Sequence, residues 1–201
     1  MQGATGSVTF REVARAWYFE PQHLAPDVDP GGLEVTAGYR AARDSGTFSY
    51  AVHAAVVAVD PETGLIQILD YVVVEDGGVL VNPMIVDGQI RGGTAQGIGT
   101  CIYEAMLFDE CGQPLAGTLA DYLLPGAPEI PEIRVLHMET PSPYTSFGAK
   151  GIGEGGAVGS PAAIISAVND ALQGKGVELR DLPLSPQRIL GEIEAGRGAQ
   201  R

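Results

Sequence analysis

Cysteine is nearly missing from this sequence: its 201 residues hold two, Cys101 and Cys111. A chain of this length builds a core without staples, so no disulfide framework is indicated. An iron–sulfur cluster held by this chain alone is excluded, since it takes about four thiolates. His23, His53 and His137 show none of the close spacings of a self-contained zinc site. Basic residues are scarce too, with 12 Lys and Arg against 25 Asp and Glu, a net charge of −13. Such a field repels phosphate backbones and acidic lipid surfaces, so nucleic acid and anionic membranes are poor partners. No apolar run approaches the roughly 18 residues of a membrane span, and no basic-then-apolar leader opens the chain. A cytoplasmic protein without a membrane span is expected.

What is present suffices for a folded core: 45% of residues are hydrophobic and 18% charged. Glycine (28) and proline (14) are abundant without a collagen period, which predicts many turns and close-packed loops. Thr9 and Glu12 have capping-box spacing, and Phe10, Val13 and Trp17 recur at helical intervals. A short helix over 10–18 follows, with Trp17 packing it onto the core. Strand-length apolar runs through Val52–Val59 and Leu65–Val74 flank the turn Asp60-Pro61-Glu62-Thr63-Gly64, predicting a hairpin. Ile98, Cys101, Ile102, Ala105 and Met106 form a helical stripe within Gly88–Leu107 despite Gly92, Gly93, Gly97 and Gly99. Each such glycine costs roughly 1 kcal/mol relative to alanine, so close approach of that backbone to a neighbour or a ligand is expected. Ile133, Val135 and His137 alternate as a strand. Ser160-Pro161 reads as the start of a helix carrying Ile164, Ile165, Val168, Ala171 and Leu172, and Ser185-Pro186 as the start of a terminal one. The fold class is α+β, with mixed sheet segments and packed helices, as one region 1–201 with a sub-boundary near 75–88.

The loop Gly148-Ala149-Lys150-Gly151-Ile152-Gly153-Glu154-Gly155-Gly156 is the most unusual segment. Its glycines allow close backbone approach and leave N–H groups free for anionic oxygens, and Glu154, its one acid, is a candidate general base. A solvent-facing turn glutamate is the competing reading. Gly151, Gly153 and Gly156 also satisfy G-x-G-x-x-G, but Ser146–Lys150 does not read as the buried strand that a dinucleotide site requires. His53 and His137 lie in strand patterns and read as packed or hydrogen-bonded groups rather than ligands. Tyr122 reads as a packing anchor, and Cys101 as a small hydrophobe.

Gly148-Ala149-Lys150-Gly151-Ile152-Gly153-Glu154 resembles the G-x-K-G-x-G-E signature of the molybdenum hydroxylases, the xanthine dehydrogenase and aldehyde oxidase family. Gly88-Gln89 to Gly92-Gly93 with Gln96-Gly97-Ile98-Gly99 resembles the GQ-x-x-GG-x-x-QG-x-G element of the same molybdopterin-binding subunit. Val59–Gly64, Asp76-Gly77-Gly78 to Asn82-Pro83, Asp121-Tyr122 to Pro125, and Pro161–Ile164 to Asn169-Asp170-Ala171 fall in the family's order. The resemblance covers about Val8 to Ile193 and implies the C-terminal part of a molybdopterin-binding domain. It further implies oxidation of an aldehyde or N-heterocycle by water-derived hydroxylation, with Glu154 as the catalytic base. Lys150, Gly151, Ile152 and Gly153 would line a molybdopterin-type cofactor and Gln89 would reach its molybdenum end, with no side chain here ligating the metal. The cofactor would be shared with a larger molybdopterin-binding partner chain carrying the missing loops, and Fe–S clusters and FAD would reside on partner subunits. The chain is then a natural split subunit or a fragment. The rival expectations are a non-catalytic truncated paralogue and a nucleotide-binding module using G-x-G-x-x-G.

Overall fold

The computed structural model describes residues 6–28, 31–40, 43 and 47–199. The chain divides into two units, Met1–Arg40 and Ala41–Arg201. Residues 75–88 join a strand to a helix inside the second unit. In the first unit, α1 spans Phe10–Tyr18. Its capping box forms, with the Glu12 N–H donating to Thr9 Oγ1 at 3.2 Å and the Thr9 N–H donating to Glu12 Oε2 at 2.7 Å. No residue of α1 is buried, and Trp17 is only half-buried. Helical period identifies an apolar stripe but not what covers it.

In the second unit the hairpin forms as the alternation predicts. Strands β1 (Tyr50–Val59) and β2 (Ile66–Asp76) pair antiparallel. Asp60 holds the turn by accepting the Glu62 N–H and the Thr63 hydroxyl, each at 2.8 Å. Strand β3 (Ile133–Met138) joins β2 in parallel, giving the order β1-β2-β3. A parallel neighbour requires a long crossover, and α2 (Pro83–Ile98) lies within it. Asn82 caps that helix by accepting the Ile85 N–H at 3.2 Å, with Pro83 in the first turn. One face of the sheet supplies Tyr71 and Val73 to the core, where they join Ile90 and Ile98 of α2 and Ile164 and Val168 of α3 (Gly155–Ala171), all fully buried. Across the other face run Val52, Val74 and Leu136, paired strand to strand, with Val52 and Leu136 exposed. The fold is α+β around a mixed three-stranded sheet. Among the described residues no helix is long and apolar enough to cross a membrane.

Two helix boundaries differ from expectation. The helix predicted to reach Leu107 ends α2 at Ile98 and passes into a π-helical turn, Gly99–Tyr103, before Glu104 turns extended. Leu184 N–H takes the Cys101 carbonyl at 2.7 Å, so that acceptor is bonded from outside. Ile98, Cys101 and Ile102 are buried as the stripe predicts, whereas Met106 is exposed. Burial pushes the Cys101 thiol up to about 12, consistent with an inert packing group. The other boundary is that α3 starts at Gly155, placing Ser160 and Pro161 inside it. Pro161 cannot donate to the Ala157 carbonyl, but Ser160 Oγ donates to the Gly156 and Ala157 carbonyls at 3.1 and 3.4 Å. The hydroxyl thus caps the carbonyl that proline leaves open, within the helix rather than at its start. Helix α4, Pro186–Ala199, starts where predicted, with the Arg188 N–H on Ser185 Oγ.

Two glycines of α2, Gly93 and Gly97, serve helix packing. A Cβ on Gly93 would lie 3.0 Å from the Ala157 nitrogen, and one on Gly97 1.7 Å from Ser160 Oγ. Reciprocally, a Cβ on Gly156 would lie 2.4 Å from the Ile90 carbonyl oxygen. Backbone contact between α2 and α3 at this distance needs glycine on both sides. Gly92 is not part of it, being exposed with open space at its Cβ position.

Candidate functional site

The glycine-rich loop is fixed to the β2–α2 connection. Lys150 N–H donates to the Gly77 carbonyl at 2.8 Å, and Val79 N–H to the Gly148 carbonyl at 3.2 Å. Gly78 and Gly148 adopt φ of +65° and +72°, and a Cβ on Gly78 would lie 2.2 Å from the Gly148 oxygen, so these two positions demand glycine. The side chain of Lys150 turns inward. Its Nζ donates to Asp76 Oδ1 at 3.0 Å and lies 4.7 Å from the Tyr50 ring centroid. Asp76 Oδ1 also accepts the Gly78 and Thr140 N–H groups. Burial opposes ionisation of Asp76, but hydrogen bonds from Thr140, Gly78, Lys150 and Tyr50 outweigh it and hold the carboxyl well below the ordinary range. Lys150 therefore anchors the loop by its side chain and can meet a ligand only along its backbone.

Beyond Lys150 the loop opens. The N–H groups of Gly151, Ile152, Gly153 and Glu154 have no acceptor among the described residues, and at Gly151 and Gly153 nothing lies within 4 Å of a Cβ position. Gln89 reaches across from α2, its Nε2 donating to the Gly153 carbonyl at 3.0 Å. Glu154 occupies the N-cap position of α3 but makes no side-chain capping bond, so its exposed carboxylate is uncommitted. Of the sequence-predicted residues, Gln89, Gly151, Ile152, Gly153 and Glu154 thus converge on one edge, with Lys150 behind them. A cavity of about 350 Å³ adjoins that edge, lined by His53, Glu75, Gly151, Gly153, Glu154 and Gly159, among others.

The histidines behave as hydrogen-bonded groups. His53 Nδ1 lies 3.0 Å from the buried Tyr71 hydroxyl, and burial lowers its pKa, partly opposed by the Gly155 carbonyl. His137 Nε2 lies 2.7 Å from Asp87 Oδ1. Tyr122 anchors through its hydroxyl, which donates to Glu104 Oε2. Among the described residues no His, Cys, Asp and Glu group of three or more could hold a metal ion. Sequence reasoning missed Glu75, which is 1% exposed and lines the cavity. A signal existed, since Tyr71, Val73 and Glu75 occupy alternate positions of β2 and share its buried face.

Residues 1–131 match the model of the molybdopterin cofactor-binding domain. The chain belongs to that family. It is 39% identical over 187 residues to the nicotine 6-hydroxylase large subunit of Paenarthrobacter nicotinovorans, covering 93% of this chain and 22% of the relative. Its fold is similar to the crystal structure of quinoline 2-oxidoreductase from Pseudomonas putida 86, with a TM-score of 0.78 and 42% identity over 93% of this chain and 23% of the other. It is also similar to carbon monoxide dehydrogenase from Oligotropha carboxidovorans, with a TM-score of 0.80 and 29% identity over 96% of this chain and 23% of that one. The chain therefore spans less than a quarter of the length of these relatives. The G-x-G-x-x-G match has no strand leading into it, residues 139–154 being turns and bridges, so the dinucleotide geometry is not formed.

Proposed function

We propose that this chain forms one wall of the active site of a molybdenum hydroxylase that oxidises an N-heterocycle or an aldehyde, with Glu154 as general base. The observation that carries the reading is the uncommitted Glu154 carboxylate beside a row of backbone N–H groups that lack acceptors, at the edge of a cavity. This edge fits an anionic cofactor: Gly151 and Gly153 leave space where side chains would stand, and N–H groups in such a loop bind anionic oxygens. When bound, the molybdenum cofactor supplies a two-electron oxidation whose oxygen derives from water. Gly151, Ile152 and Gly153 would hold its edge through their N–H groups. Gln89 would fix the loop through the Gly153 carbonyl, leaving its Oε1 free to face the cofactor. Glu154 would take up the proton released as water-derived oxygen is transferred, a role that requires reach and an unoccupied carboxylate. An N-heterocycle is the preferred substrate class, because two of the similar proteins are named for nicotine and quinoline.

The rest of the site would come from further molybdopterin-binding polypeptide, with Fe–S clusters and FAD on partner subunits. The apolar row through Val74, exposed at Val52 and Leu136, supports this reading, as does the small share of each relative that this chain spans. The test is Glu154→Gln in the assembled protein, with molybdenum content and turnover measured together. Molybdenum should stay near its normal level while turnover falls by about 10²–10⁴-fold. Near-normal turnover would remove Glu154 from the reaction.

A further inference from the structure

Glu75 has no role in the scheme above, yet it lines the same cavity as Glu154. Its side chain packs at the head of α3. Oε2 lies 3.3 Å from where a Cβ on Gly155 would stand, and Oε1 lies 3.1 Å from the corresponding point on Gly77. Oε1 is fully covered and has no hydrogen-bond partner among the described residues, and the residue is 1% exposed. The surrounding titratable groups are committed elsewhere or unsuited to pair with it. Lys150 is bound to Asp76, and His137, level with Glu75 on β3, is bound to Asp87 of α2. His53 of β1 is bound to Tyr71, and Asp76 and Glu154 carry the same sign of charge as an ionised Glu75.

We propose that Glu75 is a positioning residue for Glu154, acting as an uncharged wedge beneath the Glu154–Gly155 turn. A buried carboxylate without a hydrogen-bond donor is strongly disfavoured, whereas the neutral acid fits the same space. Burial accordingly raises the Glu75 pKa, and the Asp76 charge adds to this while His137 and Lys150 oppose it. Ionisation as pH rises through the raised pKa would place a third negative charge beside Asp76 and Glu154 and press the turn away from the cavity. Because the folded-state pKa is raised, Glu75 supports folding fully at acid pH, and this support is lost as pH rises through the folded value.

The inference rests on Glu154 being the base, and its test separates the two. In the assembled, cofactor-loaded protein, Glu75→Gln keeps the shape and the neutral charge. Above the raised pKa of Glu75, wild-type kcat should fall about tenfold per pH unit, and the variant should lose this limb. The unfolding midpoint of the variant should exceed that of wild type increasingly as pH rises. In wild type alone, amide exchange across residues 151–156, corrected for its intrinsic pH dependence, should accelerate over the same range. Superimposable pH profiles of kcat and of unfolding in the two proteins would overturn the wedge, as would pH-independent corrected exchange in wild type. Normal turnover in Glu154→Gln would instead overturn the assignment of the base while leaving the unfolding and exchange results to judge Glu75.

Discussion

Replacing Gly156 by alanine places a methyl group 2.4 Å from the Ile90 carbonyl oxygen, 2.8 Å from the Thr94 nitrogen and 3.1 Å from the Ile90 carbonyl carbon. All three atoms belong to the α2 backbone, so no side chain can rotate away and the two helices must separate. Overpacking of a close-packed interior costs about 1–3 kcal/mol, and a rigid neighbour puts this site toward the upper end. Alanine recovers at most about 1 kcal/mol of helix propensity, which leaves a net loss of roughly 2 kcal/mol. Gly92→Ala is the matched control, because it sits in α2 with nothing within 4 Å of its Cβ and gains the propensity term without a clash. The two variants should therefore differ by about 3 kcal/mol in opposite directions around wild type. Urea unfolding followed by far-ultraviolet circular dichroism reads this as displaced midpoints with unchanged slopes. Equal midpoints for the two variants would show that α2 and α3 do not meet through their glycines.

Lys150→Met should destabilise the fold by about 3 kcal/mol, because it strands the Asp76 carboxylate in the interior with backbone donors as its main remaining partners. Asp76 is held below its ordinary range, so this difference should be full above about pH 5 and shrink as acid protonates the carboxyl, which unfolding midpoints across pH would reveal. Purified without other polypeptide, the chain should hold no stoichiometric molybdenum, since Gln89 and the Gly151–Glu154 loop form only one edge of a site; metal analysis checks this. Gly153→Val should lower cofactor content in the assembled protein while leaving the unfolding midpoint nearly unchanged, because its Cβ would meet open space where the cofactor edge is proposed to lie.

The sequence by itself determined the features that depend on near neighbours. The Thr9–Glu12 box, the Asp60–Gly64 turn and the Asn82 and Ser185 caps are made between residues at most four apart, and strand alternation is a local period. The Gly148–Gly156 segment was legible for a related reason: a lone acid among glycines is an unusual local pattern that singled out Glu154, while Gln89, Lys150, Gly151, Ile152 and Gly153 entered the expectation only through the resemblance to the molybdenum hydroxylases. Tertiary structure decided what those residues meet. Ser160-Pro161 looked like a helix start because the repair of the proline gap by the Ser160 hydroxyl is visible only once α3 has formed. The same holds for the glycines of α2, where Gly93 and Gly97 face α3 while Gly92 faces outward, and for Lys150, whose charge is fixed by Asp76 at 74 residues' separation. Glu75 was overlooked for the same reason, since an acid on an alternating strand acquires its burial from helices and loops far along the chain. Local chemistry writes caps, turns and periods into adjacent residues, but desolvation and close approach are properties of the folded surroundings.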